Sequence, residues 1–277
     1  MSASGIAPAR IGLLDSGVGG LSVLREVHQL LPGAELHYVG DSAWCPYGTK
    51  SSEVICQRVF EISDYLLSRG AEILVIACNS ATIHAVGALR ASYPLPVVGM
   101  EPAVKPAAEL TRSGVIGVLA TEASIAGEKF HQLVSTHARG VRVITRPCPR
   151  FVELVEAGQL TGPEVESAVD EAVAPLLKAG ADVFVLGCTH YPFLRGVIES
   201  RLPAGTKVVD TGPAVARRVK SLLDCNGGDG KRSACPTATP SILIETTGPL
   251  ETLNRLLPTL LPNLTVKAGH CVIGYSD

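Results

Sequence analysis

The sequence predicts an α/β fold: two similar parallel-sheet α/β domains related by a pseudo-twofold, with a candidate site in the cleft between them. Three observations carry this. Short runs rich in Val, Ile and Leu alternate with amphipathic helical stretches along most of the 277 residues. Near-continuous apolar strands separated by helices indicate parallel sheets covered on both faces. Segments of the chain also repeat in order, and one strand in each copy runs directly into a cysteine.

In chain order the strands are "RIGLLDSG" from Arg10, "AELHYVG" from Ala34, "EILVIAC" from Glu72, "LPVVGM" from Leu95, "GVIGVLA" from Gly114, "VRVITR" from Val141, "DVFVLGC" from Asp182, "KVVDTG" from Lys207 and "SILIETTG" from Ser241. Turn residues bound each one. Between several of them lie amphipathic helices such as "EVICQRVFEISDYLLSRG" and "GPEVESAVDEAVAPLLKAG". Helices are also predicted after the two cysteines, in "ATIHAVGALRAS" and "YPFLRGVIES". The Gly/Ser/Pro-rich stretch from Cys225 to Pro240 reads as an exposed loop.

The repeat is specific. Gly70 falls on Gly180, Ala71 on Ala181, Glu72 on Asp182, Val75 on Val185 and Cys78 on Cys188 at a constant spacing. Downstream, "VVGMEPAV" from Val97 matches "VVDTGPAV" from Val208; upstream, "IGLLDS" from Ile11 matches "IGVLAT" from Ile116. Apolar runs alone would not settle a repeat, but the shared Gly-Ala-acid entry, the cysteine exit and the following "PAV" do. The second copy spans residues 101–211, which leaves residues 1–100 and the returning 212–277 to a discontinuous first domain.

Composition narrows the function. Charged residues make up 18% and the formal net charge is −2, so no electrostatic case exists for nucleic acid or an anionic membrane as partner. The opening "MSASGIAPAR" lacks the basic start and apolar run of a signal peptide. No stretch approaches the roughly 20 apolar residues of a membrane span, and a cytoplasmic location is expected. The 8 cysteines are scattered, contain no C-x-x-C pair and are expected to be thiols.

Ligands of open α/β sheets bind beyond the carboxyl ends of the strands, and clefts between domains are preferred sites. Cys78 and Cys188 sit at two such strand ends, one from each copy. Free cysteine is a small hydrophobe that is commonly buried, so one alone would carry nothing. A matched pair facing across a cleft suits the inversion of a carbon bearing an acidic hydrogen, where one base takes a proton from one face and an acid returns one to the other. A free thiol has a pKa near 8.5, roughly 1.5 units above neutral; a helix N-terminus or a polar neighbour would assist it. Asp15, ending the first strand, and His190, two residues beyond Cys188, are candidate assistants, although an Asp in that position also serves as a helix cap.

The segments "DSGVGGLSVL", "PYG", "ACNSAT", "LVEAG" and "GCTHYP" together resemble the glutamate racemases of the cofactor-independent amino-acid racemase superfamily. The resemblance runs from about Ile11 to Glu245. Aspartate racemases share the paired cysteines, but Thr189 and His190 favour the glutamate enzymes. The resemblance implies interconversion of L- and D-glutamate, supplying D-glutamate for peptidoglycan, with no cofactor and no metal. It implies that Cys78 serves D-glutamate with Asp15 assisting, and that Cys188 serves L-glutamate with His190 and Glu156 assisting. It further places Asp15, Ser16, Tyr47, Gly48, Asn79, Ser80, Thr121, Thr189 and His190 among the residues that contact substrate, and leaves a homodimer as an open assembly state. Two positions depart from the family pattern: Ser80 stands where Thr is usual, and Trp44 where Arg is common. Cys45 is read as a bystander.

Other readings have less behind them. A nucleotide loop at "DSGVGGLS" lacks the third spaced glycine and a Walker lysine. A metal site of Cys78, Cys188 and His190 lacks closely spaced ligand pairs. A non-catalytic amino-acid-binding module would keep the cleft without needing two matched thiols. Counting lysines does not exclude dependence on pyridoxal phosphate.

Overall fold

The computed structural model describes residues 8–226 and 241–274. The strands are β1 (Arg10–Asp15), β2 (Glu35–Gly40), β3 (Ile73–Ile76), β4 (Val97–Val98), β5 (Val115–Ala120), β6 (Arg142–Pro147), β7 (Val183–Leu186), β8 (Lys207–Asp210), β9 (Ile242–Thr246) and β10 (Lys267–His270). The helices are α1 (Leu21–Leu30), α2 (Ser52–Ser68), α3 (Asn79–Ser92), α4 (Val104–Leu110), α5 (Glu122–Ala126), α6 (Glu128–His137), α7 (Pro149–Glu156), α8 (Pro163–Lys178), α9 (Arg195–Ser200), α10 (Gly212–Asn226) and α11 (Leu250–Leu260). Every expected strand is present. β10, "KAGH", is an addition that its weakly apolar sequence does not announce. The stretch expected to loop from Cys225 instead begins as the end of α10, and the remainder of it lies outside the described residues.

Two sheets form, with orders β10-β9-β2-β1-β3-β4 and β6-β5-β7-β8, and every pairing is parallel. The run β2-β1-β3-β4 has the same order as β6-β5-β7-β8. The registers agree as well: Ile11 pairs with Ile73 where Ile116 pairs with Val183, and Leu74 pairs with Val97 where Phe184 pairs with Val208. These are the same equivalences that align the two cysteine strands in sequence.

The "Gly-Ala" entry to each cysteine strand has a local cause. Gly70 and Gly180 end α2 and α8 with φ of 86° and 89°, the left-handed region that a Cβ disfavours. Gly70 N–H donates to Leu67 C=O (2.9 Å) and Ala71 N–H to Leu66 C=O (3.1 Å); Gly180 and Ala181 repeat this with Leu177 and Leu176 at the same distances. That is the Schellman arrangement, which satisfies the last helical carbonyls and turns the chain sharply. It fixes where β3 and β7 begin, and hence where they end.

β3 and β7 are buried along their whole length, as central strands covered on both faces must be. One buried apolar cluster runs through both halves, from Leu24 and Val27 on α1 to Leu154 on α7, Phe184 on β7 and Val219 on α10. The chain crosses between the sheets after β4 and again after β8, and Thr211 Oγ1 ties the two crossings by donating to Glu101 C=O at 2.8 Å.

Leu14 on β1 and Leu119 on β5 hold equivalent places, pairing with Ile76 and Leu186, and both are fully buried. Leu14→Ala and Leu119→Ala should each cost about 2–5 kcal/mol of stability, the range for large-to-Ala changes in a packed core. Urea denaturation followed by circular dichroism checks this; a loss in one half only would mean the sheets are not energetically comparable.

Candidate active site

In each sheet the connections run in opposite directions on either side of one strand pair, β1 and β3 in the first, β5 and β7 in the second. Such a switch point opens a crevice at the carboxyl ends of the strands. Asp15, Ser16 and Cys78 stand at the first crevice, and Thr121 and Cys188 at the second.

Cys78 is 6% exposed and is the N-cap of α3. Ala81 N–H donates to its sulfur at 3.5 Å, and the sulfur lies 3.9 Å from Ser16 Oγ. Burial pushes the thiol pKa up, and the neighbouring Asp15 charge pushes it further; the bond from Ala81 opposes both. Asp15 is fully buried. Its carboxylate accepts from Ser16 N–H (2.7 Å), from Gly20 N–H at the start of α1 (2.5 Å), and from Thr189 Oγ1 (3.4 Å). Burial raises its pKa against the lowering influence of His190 and these backbone donors. Asp15 therefore supports the start of α1 and lies beside the Cys78 thiol.

The second thiol has different company. Cys188 Sγ is 3.6 Å from His190 Nδ1, and His190 Nε2 is 2.7 Å from Glu156 Oε1 at the end of α7. Glu156 also accepts from Val18 N–H (3.0 Å) and from the Cys45 thiol (3.7 Å). Burial disfavours charge on His190, but its bonds to Cys188 and Glu156 outweigh burial and raise its pKa well above the ordinary histidine value. Glu156 is lowered: burial works against its charge, and the bond and charge of His190 overcome it. The segment after Cys188 begins with a 3₁₀ turn (Tyr191–Leu194) ahead of the short α9, so Cys188 does not cap an α-helix as Cys78 does.

The glycines of "DSGVGG" have a steric reason. A Cβ at Gly17 would collide with Glu156, one at Gly19 with the His190 ring and Thr189, and one at Gly20 with the Asp15 side chain. The loop is glycine-rich so that acidic and imidazole side chains can pack onto its backbone, which is the opposite of a phosphate cradle.

Of the remaining candidates, Asn79 and Ser80 lie buried in the first turn of α3, and Asn79 Oδ1 has no hydrogen-bond partner. Thr121 caps α5, accepting from Ser124 N–H at 3.3 Å. Gly48 lies against Ala123 and Ser80. Tyr47 is buried, and its hydroxyl donates to Asp41 Oδ2 at 2.6 Å. Asp41 was not singled out from sequence; a Gly-Asp-Ser at the end of β2 was its only signal. The thiol of Cys45, read as a bystander, donates to Glu156 Oε1 at 3.7 Å. Among the described residues no group of three or more His, Cys, Asp or Glu is arranged to hold a metal ion, and no helix is long and apolar enough to cross a membrane. A cavity of about 1150 Å³ beside the two chain crossings is lined by Asn79, Lys105 and Arg217 among others, but by neither Cys78 nor Cys188. The chemistry is placed by the side chains rather than by volume.

A sequence model described as Asp/Glu/Hydantoin racemase matches residues 11–219. A glutamate racemase of Ectopseudomonas mendocina is 54% identical over 216 residues, 78% of this chain and 82% of that protein. One from Pseudomonas putida is 48% identical over 258 residues, 91% of this chain and 94% of that protein. Among solved structures, Escherichia coli glutamate racemase in complex with L-glutamate and the activator UDP-MurNAc-Ala has a TM-score of 0.86 at 33% identity, covering 97% of this chain and 100% of that one. Francisella tularensis glutamate racemase in complex with D-glutamate has a TM-score of 0.81 at 25% identity, covering 97% and 99%.

The raised His190 pKa has a definite sign. Stability gained from Cys188 and Glu156 is fully present below the ordinary value of 6.5 and is lost as pH rises through the raised folded value. Glu156→Gln removes the carboxylate, so the imidazole should titrate at lower pH in the variant. NMR of the His190 ring resonances measures this, and an unchanged titration would mean that Glu156 does not hold the proton there.

Proposed function

The chain belongs to the Asp/Glu/hydantoin racemase family, and from that premise we propose that it is a glutamate racemase, a cofactor-independent isomerase interconverting L- and D-glutamate through two thiols. The observation that carries the reading is the matched pair of cysteines at the carboxyl ends of β3 and β7, each beside its own acid–base group.

For L-glutamate, the Cys188 thiolate takes the α-proton, and the bond pair stays on the α-carbon. The Cys78 thiol then donates its proton to the opposite face, giving D-glutamate and a Cys78 thiolate. For D-glutamate the roles exchange. His190, held by Glu156, steadies charge at Cys188; Asp15 manages the proton at Cys78. Ser16, Asn79, Ser80, Thr121 and Thr189 supply the hydroxyl and amide groups suited to the substrate's ammonium and carboxylates, with Tyr47 and Gly48 closing one side. The unpartnered Asn79 Oδ1 is an acceptor open to an ammonium. Both thiols come from one chain, so the chemistry is complete in a monomer or a homodimer. The two sheets support a division into residues 1–100 with 212–277, and 101–211. The D-glutamate would serve peptidoglycan synthesis from the cytoplasm.

The purified protein should convert either enantiomer to a one-to-one mixture with no added cofactor, as followed by circular dichroism or chiral chromatography. Cys78→Ser and Cys188→Ser should each slow racemisation on the order of 10² to 10⁴-fold, the usual contribution of a positioned acid–base group. With a glutamate analogue carrying a β-leaving group, Cys188→Ser should still eliminate from the D-form and Cys78→Ser from the L-form. Racemisation near the wild-type rate in either variant would sink the two-thiol reading.

A further inference from the structure

Asp41 lies at the end of β2, fully buried, and is not among the acid–base groups of the site. Its carboxylate accepts hydrogen bonds from Tyr47 Oη (2.6 Å), Arg58 Nε (3.0 Å), Arg58 Nη2 (2.8 Å) and Thr247 Oγ1 (2.7 Å). Arg58, on α2, is only 5% exposed. Its remaining Nη1 donates to Glu61 (2.5 Å) and to Ile273 C=O (2.9 Å), and the Trp44 ring lies 5.3 Å from the guanidinium carbon. The pair thus gathers β2, β9's following residue Thr247, α2 and the end of the described chain around one carboxylate.

What this network holds is the segment between β2 and α2. Tyr47 is pinned at its hydroxyl, and its ring belongs to the same buried cluster as Cys78 and Ala81. The next residue, Gly48, rests near Ser80 on α3 and Ala123 on α5, so the segment touches elements from both halves of the molecule. Asp41 is also tied to the first crevice directly, since its backbone N–H donates to Asp15 C=O at 2.9 Å. A buried ion pair gives little net stability over an apolar substitute of similar volume. What a bidentate arginine–carboxylate pair does supply is one fixed geometry.

We propose that Asp41 and Arg58 are positioning residues for the Cys78 half of the racemisation, holding Tyr47–Gly48 as a fixed wall beside that thiol. The proposal rests on the racemase reading above. Asp41 and Arg58 touch no reacting atom; they act through Tyr47 and through the Asp15 backbone.

The test uses Tyr47→Phe, Asp41→Asn and Arg58→Lys beside the wild type. Tyr47→Phe keeps the ring in its cluster and removes only the bond to Asp41, so it remains informative if the other two fold poorly. Because the two enantiomers are equal in free energy, kcat/KM must fall equally in both directions, and the half-specific readout has to be elimination. In that reaction a thiolate takes the α-proton and the β-leaving group departs with its bond pair, leaving a dehydroamino acid. The variants should raise KM for glutamate about tenfold, with kcat falling less, and should slow elimination from the D-form about tenfold more than from the L-form, since small misplacements near a reacting centre cost that much or more. Thermal midpoints are recorded so that activities are compared on folded protein. Equal losses from the D- and L-forms, or Tyr47→Phe within about twofold of wild type in every parameter, would overturn the proposal. A wild type that does not racemise glutamate would instead remove the reading on which it rests.

Discussion

The Asp15 carboxylate is the constraint on which the site depends. A carboxylate with no solvent contact must find hydrogen bonds from protein, because an unpaired buried charge is far more costly than a buried polar group. Asp15 finds them from Ser16 and Gly20 in its own loop and from Thr189 in the other half. The loop must fold back tightly to bring Gly20 N–H onto the carboxylate, which leaves no room for a Cβ there. The bond to Thr189, adjacent to Cys188, ties the two crevices together. Satisfying one buried charge thus organises the glycine loop, the start of α1 and the contact between the halves.

The two halves share strand order and register, yet the polar neighbours of the two cysteines do not correspond. Asp15 ends β1, and the matching end of β5 is Ala120. His190 follows Cys188 by two residues, and the residue two beyond Cys78 is Ser80. The asymmetry is chemically reasonable. A racemase needs access to the two faces of one carbon, and the repeated strand order puts one cysteine just beyond each of two equivalent strands. The rest of the substrate has a single orientation, so the surroundings of the two thiols need not match. The repeated backbone places the sulfurs, and unrepeated side chains adapt each one.

Much of this was legible in sequence because it is local or periodic. Parallel strands buried on both faces read as apolar runs, and the Gly-Ala entries mark two helix ends whose backbone leaves little choice of residue. The cysteines were visible because the repeat displayed them as a pair. The less legible parts depend on distant residues. Glu156 lies far from His190 in sequence, and its role came only with the family resemblance. The spacing after Cys188 suits a helix, but the chain takes a 3₁₀ turn first, with Tyr191 Oη bound to Cys148 C=O at 2.9 Å. β10 forms because β9 offers an edge, not because "KAGH" favours a strand. Asp41 is not legible as a hub, because its partners come from α2, the segment before α2 and the residue after β9.

Electrostatics give the two sides different resting characters. On the Cys78 side burial is the leading influence, raising both the thiol and Asp15. On the Cys188 side the sulfur and the Glu156 carboxylate that flank His190 outweigh burial and raise its pKa. The Asp15–Thr189 contact joins the two crevices, and the charge of His190 acts across them to lower the Asp15 pKa. Burial raises Asp15 and the Cys78 thiol alike, because both would have to carry charge away from water, whereas on the Cys188 side the neighbours of His190 overcome burial.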